Sequence, residues 1–106
     1  MCSYEETIQS IKKVAKETLP STGSMILFGS RARGDYHAES DWDILVLLDK
    51  ERLTPTDYDT VTYPLTMLGW KIGESINPVM YTKKEWESYS ISPFYKNVER
   101  EGVVLI

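Results

Sequence analysis

The sequence predicts one α/β (α+β) domain, a small mixed β-sheet flanked by helices. Three observations carry that expectation. The runs "MILF" (25–28) and "ILVLL" (44–48) are apolar without alternation, the pattern of strands covered on both faces. Helical patterns with start and stop signals precede, separate and follow them. The chain has 106 residues, 42% hydrophobic and 26% charged, which suits a single core over residues 1–106 with no hidden substrate domain.

Taken in order, residues 4–19 form an amphipathic helix. Ser3 and Glu6 make a capping box, Ile8, Ile11, Val14, Ala15 and Leu19 share a face, and Pro20 stops the helix. "STGS" is a turn into the first strand, and the second strand ends at Asp49. Thr54-Pro55 with Asp57 starts another helix, whose stripe is Tyr58, Val61, Leu65, Leu68 and Ile72. Pro64 interrupts that stripe and predicts a kink or two abutting helices. "SINPVMY" (75–81) is a third strand, and Pro78 places it at an edge or on a bulge. Thr82 with Glu85 caps a short helix, and Ser92-Pro93 begins another that ends at Gly102. The apolar tail "GVVLI" is an edge strand open to pairing with a second chain, a homo-oligomer included.

Composition narrows the function classes. A net charge of -4 argues against a non-specific binder of long nucleic acid, which needs a basic face. A small anionic ligand stays compatible, because a metal ion can supply positive charge locally. Cys2 is the only cysteine, so there is no disulfide framework, and a terminal thiol without a role is the simplest reading. The start of the chain is acidic where a secretory signal would be basic, and no apolar run approaches about 18 residues. The expectation is a cytoplasmic protein with no membrane partner.

The chemistry concentrates in "LFGSRARGDYHAESDWDILVLL" (27–48). Asp41 and Asp43 stand two apart where the second strand begins, so both carboxylates project from one face while Trp42 points to the other. Converging carboxylates repel unless a cation lies between them, and oxygen-only ligands suit Mg²⁺ or Mn²⁺. In "GSRARG", Gly29 lets the backbone approach a ligand, and Ser30 can cap a short helix whose free N–H groups face an anion. Gly34 fits the left-handed end of that helix. Arg31 and Arg33 add positive charge beside the anion, with a surface ion pair to Asp35 or Glu39 as the alternative, the preferred one for Arg31 and the lesser one for Arg33. The Gly-Ser turn leaves the first strand where the aspartates begin the next, so they share one site only if the strands are antiparallel neighbours. A phosphate hollow beside a metal-holding acid pair is the minimum equipment for phosphoryl or nucleotidyl transfer.

The segment "GSRARGDYHAESDWDILV" resembles the signature of the minimal nucleotidyltransferases of the DNA polymerase β-type superfamily. Gly-Ser, then Ala-Arg-Gly, then Ser-Asp-x-Asp and an apolar run all match from Gly29 to Val46. The resemblance implies a single nucleotidyltransferase-like domain that takes ATP with Mg²⁺ (or Mn²⁺). It implies Gly29 and Ser30 at the terminal phosphates, Arg33 in support, Asp41 and Asp43 on the metals, and Ser40 as a brace for the turn before Asp41. Small family members often pair with an HEPN-type toxin, which they silence by adding AMP to a tyrosine.

The family's third carboxylate belongs on the next core strand, and "SINPVMY" carries none. Asn77 falls in that slot, and Glu74 just before it faces the other way unless a bulge near Pro78 redirects it. Two readings follow: an enzyme moving a nucleoside monophosphate to a hydroxyl on a partner protein, and a catalytically impaired module that neutralises its partner by binding. His37 in the intervening loop suits a solvated residue better than a proton shuttle. Trp70, Trp86, Tyr89, Phe94 and Tyr95 suit core packing or a partner surface ahead of base stacking.

Overall fold

The computed structural model describes residues 3–106; Cys2 lies outside the described residues. Helix α1 (Tyr4–Thr18) begins at the expected capping box. Ser3 Oγ accepts from the Glu6 N–H at 3.1 Å and Glu6 Oε1 accepts from the Ser3 N–H at 2.9 Å. These bonds hold the Glu6 carboxyl below its ordinary range. The helix buries Thr7, Ile8, Ile11 and Ala15 and is capped at Leu19, before Pro20 can enter it.

Strand β1 (Ser24–Phe28) lies antiparallel to β2 (Trp42–Leu48), and β3 (Ile76–Thr82) runs parallel to β2 on its other side. The sheet order is β3-β2-β1-β4, which makes β2 central and β3 an edge, where Pro78 is tolerated. The tail forms β4 (Val103–Val104), but it pairs with β1 of its own sheet, with Ile26 opposite Val104. Its inner edge is therefore already taken. The outer edge is two residues long.

Coverage on both faces explains the unalternated strands. Met25, Leu27, Trp42, Ile44, Val46 and Met80 pack with α1 and α4 (Tyr63–Ile72) on one face. Leu45, Leu47, Ile26 and Phe28 face α5 (Lys83–Ser88) and α6 (Pro93–Glu101), meeting Trp86, Tyr95 and Val98. Thr82 and Glu85 close the capping box that starts α5, and Ser92 Oγ accepts from the Tyr95 N–H to start α6.

Pro64 does not split its helix. The short α3 (Pro55–Asp57) continues through a π-helical turn (Tyr58–Thr62) into α4, with Pro64 in the first turn of α4. Widening the preceding turn accommodates the residue that lacks an N–H, and helical conformation is kept throughout. Gly69 in α4 sits so close to the chain before β3 that a Cβ there would come within 2.6 Å of the Glu74 carbonyl oxygen. Among the described residues no helix is long and apolar enough to cross a membrane.

Candidate active site

The turn after β1 is built on glycine. Gly29 has φ 75° and ψ −160°, and any side chain there would overlap Oδ2 of Asp43. It is Gly29, not Ser30, that occupies the N-cap of the short helix α2 (Ser30–Arg33). Only a residue able to take a positive φ satisfies this turn, so Ser30 becomes the first helical position. The Gly29 carbonyl accepts from the N–H groups of Ala32 and Arg33, and Gly34 closes the helix at φ 88°. The amides of Ser30 and Arg31 precede the first helical hydrogen bond.

Register then sets the acid pair beside this turn. Phe28 is directly opposite Asp43 across the antiparallel ladder, and Asp43 is directly beside Asn77 in the parallel one. Asp43 is half-buried and Asp41, just before β2, is exposed. Strand alternation puts Asp43 on the α5/α6 side of the sheet with Leu45 and Leu47, while Trp42 is fully buried on the other and Asp41 stands one residue before the strand. Asn77 Nδ2 donates to Asp43 Oδ1 at 3.2 Å. The slot for a third acid is thus filled by an amide that bonds the second. No cluster of three acidic, histidine or cysteine side chains exists among the described residues.

Glu74 does not complete the acidic group. Its Oε1 accepts from Trp42 Nε1 at 2.8 Å and lies 3.6 Å from Arg31 Nη2, with the side chains of Arg31 and Glu74 only 6% and 7% exposed. Arg31 itself is not on the surface and pairs with neither Asp35 nor Glu39. Its guanidinium lies 4.5 Å from the ring centroids of both Tyr36 and Trp42. It donates to the Ser40 carbonyl at 3.1 and 3.3 Å and to the Ala38 carbonyl at 3.4 Å. Tyr4 Oη donates to the Arg31 carbonyl at 2.8 Å, tying α1 to the same knot.

The loop into Asp41 is therefore held from inside. Ser40 Oγ accepts from the His37 N–H at 2.9 Å, the Ser40 N–H donates to the His37 carbonyl, and His37 Nδ1 accepts from the Glu39 N–H. His37 acts as a turn partner and is exposed. Arg33 lies at the surface, with Nε 3.2 Å from Asp35 Oδ2 and Nη1 3.5 Å from Glu101 Oε2. Asp35 is the main reason its guanidinium is held above the usual range.

Sequence reasoning missed Arg31 and the destination of Glu74. The spacing from Arg31 to Tyr36, Trp42 and Glu74 follows no helical or strand period, because the four meet only through tertiary packing. One signal was available: Trp42 on the buried side of a strand carries an indole N–H that needs an acceptor.

Comparison with known proteins gives this arrangement a context. Residues 8–104 match the nucleotidyltransferase domain family. The chain belongs to that family. Two relatives from Methanocaldococcus jannaschii are described as candidate protein adenylyltransferases. One is 41% identical over 81 residues, 76% of this chain and 75% of the relative. The other is 34% identical over 99 residues, 93% and 91% of the two. A solved toxin–antitoxin structure with AMP-PNP has a TM-score of 0.66 at 22% identity, covering 93% of this chain and 72% of that one. A complex of tri-AMPylated Shewanella oneidensis HEPN toxin with an MNT antitoxin has a TM-score of 0.62 at 19% identity, covering 98% and 72%. At these identities what is shared with both structures is the nucleotidyltransferase fold.

Proposed function

We propose that this nucleotidyltransferase moves AMP from Mg-ATP to a hydroxyl on a partner protein of the HEPN type. The observation that carries the reading is the juxtaposition of Asp43, Gly29 and Asn77 where β1, β2 and β3 meet. Asp43 reaches over a glycine whose missing Cβ leaves the space it occupies, and Asp41 stands just before the strand. Two hard carboxylates next to a turn with free amides fit a Mg²⁺ ion whose remaining ligands come from a triphosphate. Such an ion supplies charge neutralisation on the phosphates and orients the reacting one.

The chain's own residues divide the rest of the task. Gly29 and Ser30 present the backbone to the terminal phosphates, and Arg33, anchored by Glu101, flanks that hollow. The Arg31 knot holds the Ser40 carbonyl and hence the approach to Asp41. An acceptor oxygen forms the new bond to the α-phosphorus as the bond to the β-bridging oxygen breaks, and pyrophosphate leaves. Asn77 has no basic group to take the acceptor's proton at neutral pH. The proton goes to Asp41, Asp43 or water, which favours a phenol, whose ordinary pKa of about 10 makes it the most acidic protein hydroxyl. Tyrosine is the acceptor this site suits.

The same Asn77 favours a second reading, a module that has lost transfer and neutralises its partner by binding alone. Incubation with labelled ATP, Mg²⁺ and an HEPN-type partner protein separates the two. Label on a partner tyrosine, lost in Asp41→Asn/Asp43→Asn, is the expected result. Neutralisation by that double variant, with no label transferred by the wild type, would establish the second reading.

A further inference from the structure

A cavity of about 220 Å³ opens on the α5/α6 face directly beside Gly29, lined by Phe28, Gly29, Arg33, Phe94, Asn97 and Glu101 among others. Its floor joins the metal carboxylates through the ladder, since Phe28 is the cross-strand partner of Asp43 and their side chains share a face. Its far wall is the inner face of α6, where Phe94, Asn97, Val98 and Glu101 recur at helical spacing.

The chemistry of the lining is that of a flat heterocycle site. Phe28 and Phe94 meet edge to face at 5.4 Å, and Phe94 continues edge to face onto Trp86 at 5.4 Å. Trp86 is buried, so Phe94 is propped from behind while keeping 37% of its surface exposed. A propped, partly open aromatic ring is a stacking platform for a base. Asn97 adds an amide on the same helix face. Arg100 Nη2 donates to its Oδ1 at 2.9 Å, which leaves Nδ2 and a second lone pair on Oδ1. An amide offering one donor and one acceptor matches the N6/N7 edge of adenine and mismatches the O6/N7 edge of guanine. Glu101 does not read the base; its two oxygens lie 3.5 Å from Arg33 Nη1 and 3.2 Å from Arg100 Nη2. It ties Arg33 to α6 and so places a cation where the cavity meets the Gly29 turn.

We propose that this cavity is the nucleobase subsite of the transferase, in which Phe94 stacks the base and Asn97 selects adenine. The proposal rests on the function put forward above. It makes α6 a specificity element and gives Phe94 a role that core packing does not require, since its ring stays open to solvent.

Calorimetric titration of the full chain with Mg-ATP, Mg-GTP and magnesium inorganic triphosphate tests it. The wild type is expected to bind ATP at least about tenfold more tightly than triphosphate, within the range of one base stack, and at least about tenfold more tightly than GTP, within the range of one bidentate base-edge contact. Phe94→Ala and Asn97→Leu should each lose about that factor for ATP and leave triphosphate binding unchanged, with unaltered thermal melts confirming that both fold. Variants that bind ATP as the wild type does overturn the proposal while leaving the transferase reading intact, and so do variants impaired only in labelling the partner, which would make the cavity an acceptor site. A wild type that binds neither ATP nor triphosphate overturns both.

Discussion

At the start of β2, two neighbouring residues meet opposite fates. Trp42 turns into a closed polar knot with Arg31, Glu74, Tyr36 and the Ser40 carbonyl, in which every charge has a partner. Asp43, one residue on, turns to the other face, where Asn77 Nδ2 is its side-chain partner at 3.2 Å; Asp41, just before the strand, is exposed. Like charges gathered without a cation cost stability, whereas a buried ion pair with its hydrogen bonds filled can hold a loop in place. The closed face holds the loop that leads into Asp41, while the open face leaves Asp41 exposed and Asp43 half-buried.

Breaking the closed face should produce the largest effect. Arg31→Ala leaves Glu74 as an unpaired buried charge and frees the Ser40 carbonyl. We expect a loss of about 3–5 kcal/mol in denaturant unfolding. Removing both charges together, in Arg31→Met/Glu74→Gln, should recover part of that loss. A double variant as unstable as Arg31→Ala would mean that the knot is not the support described.

Next comes the open face. Asn77→Asp installs a group able to hold metal and accept a proton, and should raise transfer to the partner by about 10²-fold, the lower end of general-base effects. Without divalent ion it should lower the melting temperature, since Asp43 loses a donor and gains a like charge. A rise in melting temperature in chelator would contradict the placement of Asn77 beside Asp43. A smaller effect is expected from Trp42→Phe, which removes one hydrogen bond to a buried carboxylate, about 1.5–3 kcal/mol by urea denaturation.

The surface should matter least. Arg33→Ala removes exposed, solvent-screened ion pairs and should leave the denaturant midpoint nearly unchanged while weakening triphosphate binding. Acid titration should show a modest decline of its own. The Lys50 ammonium, 2.8 Å away, is the main cause that holds the Asp57 carboxyl below its ordinary range. A carboxyl depressed in the folded state stabilises above its unfolded pKa of about 3.9 and loses that contribution as pH falls through the folded value. Lys50→Met should therefore flatten part of the melting-temperature decline below about pH 4.

How much of this was legible depends on whether the cause was local. The capping boxes at Ser3/Glu6 and Thr82/Glu85, the stop at Pro20 and the edge position of Pro78 follow from bonds within a few residues, and each was read correctly. The antiparallel contact of β1 with β2 was the geometric condition for a shared site, and the register of Phe28 against Asp43 meets it. Arg31 was misplaced on the surface because two aromatic rings and a carboxylate from 5, 11 and 43 residues downstream enclose it. The one local hint of such a cage is the buried Trp42 indole N–H, which needs an acceptor. At Pro64, where a kink or two abutting helices are expected, the chain instead stays helical through a π-helical turn just before it, with Val61 and Leu65 in the core on either side. The tail was read as an edge strand, and its own β1 proved to be the nearest strand needing a partner.

The central claim is that Asp41 and Asp43 grip a divalent ion next to the Gly29–Ser30 hollow. Titration of Mn-ATP into the full chain, followed by the relaxation of solvent water, tests this most directly. The account predicts a ternary complex of protein, metal and nucleotide that disappears in Asp43→Asn and weakens sharply in Gly29→Ala. A wild-type-like complex in both variants would place metal and nucleotide elsewhere and contradict it.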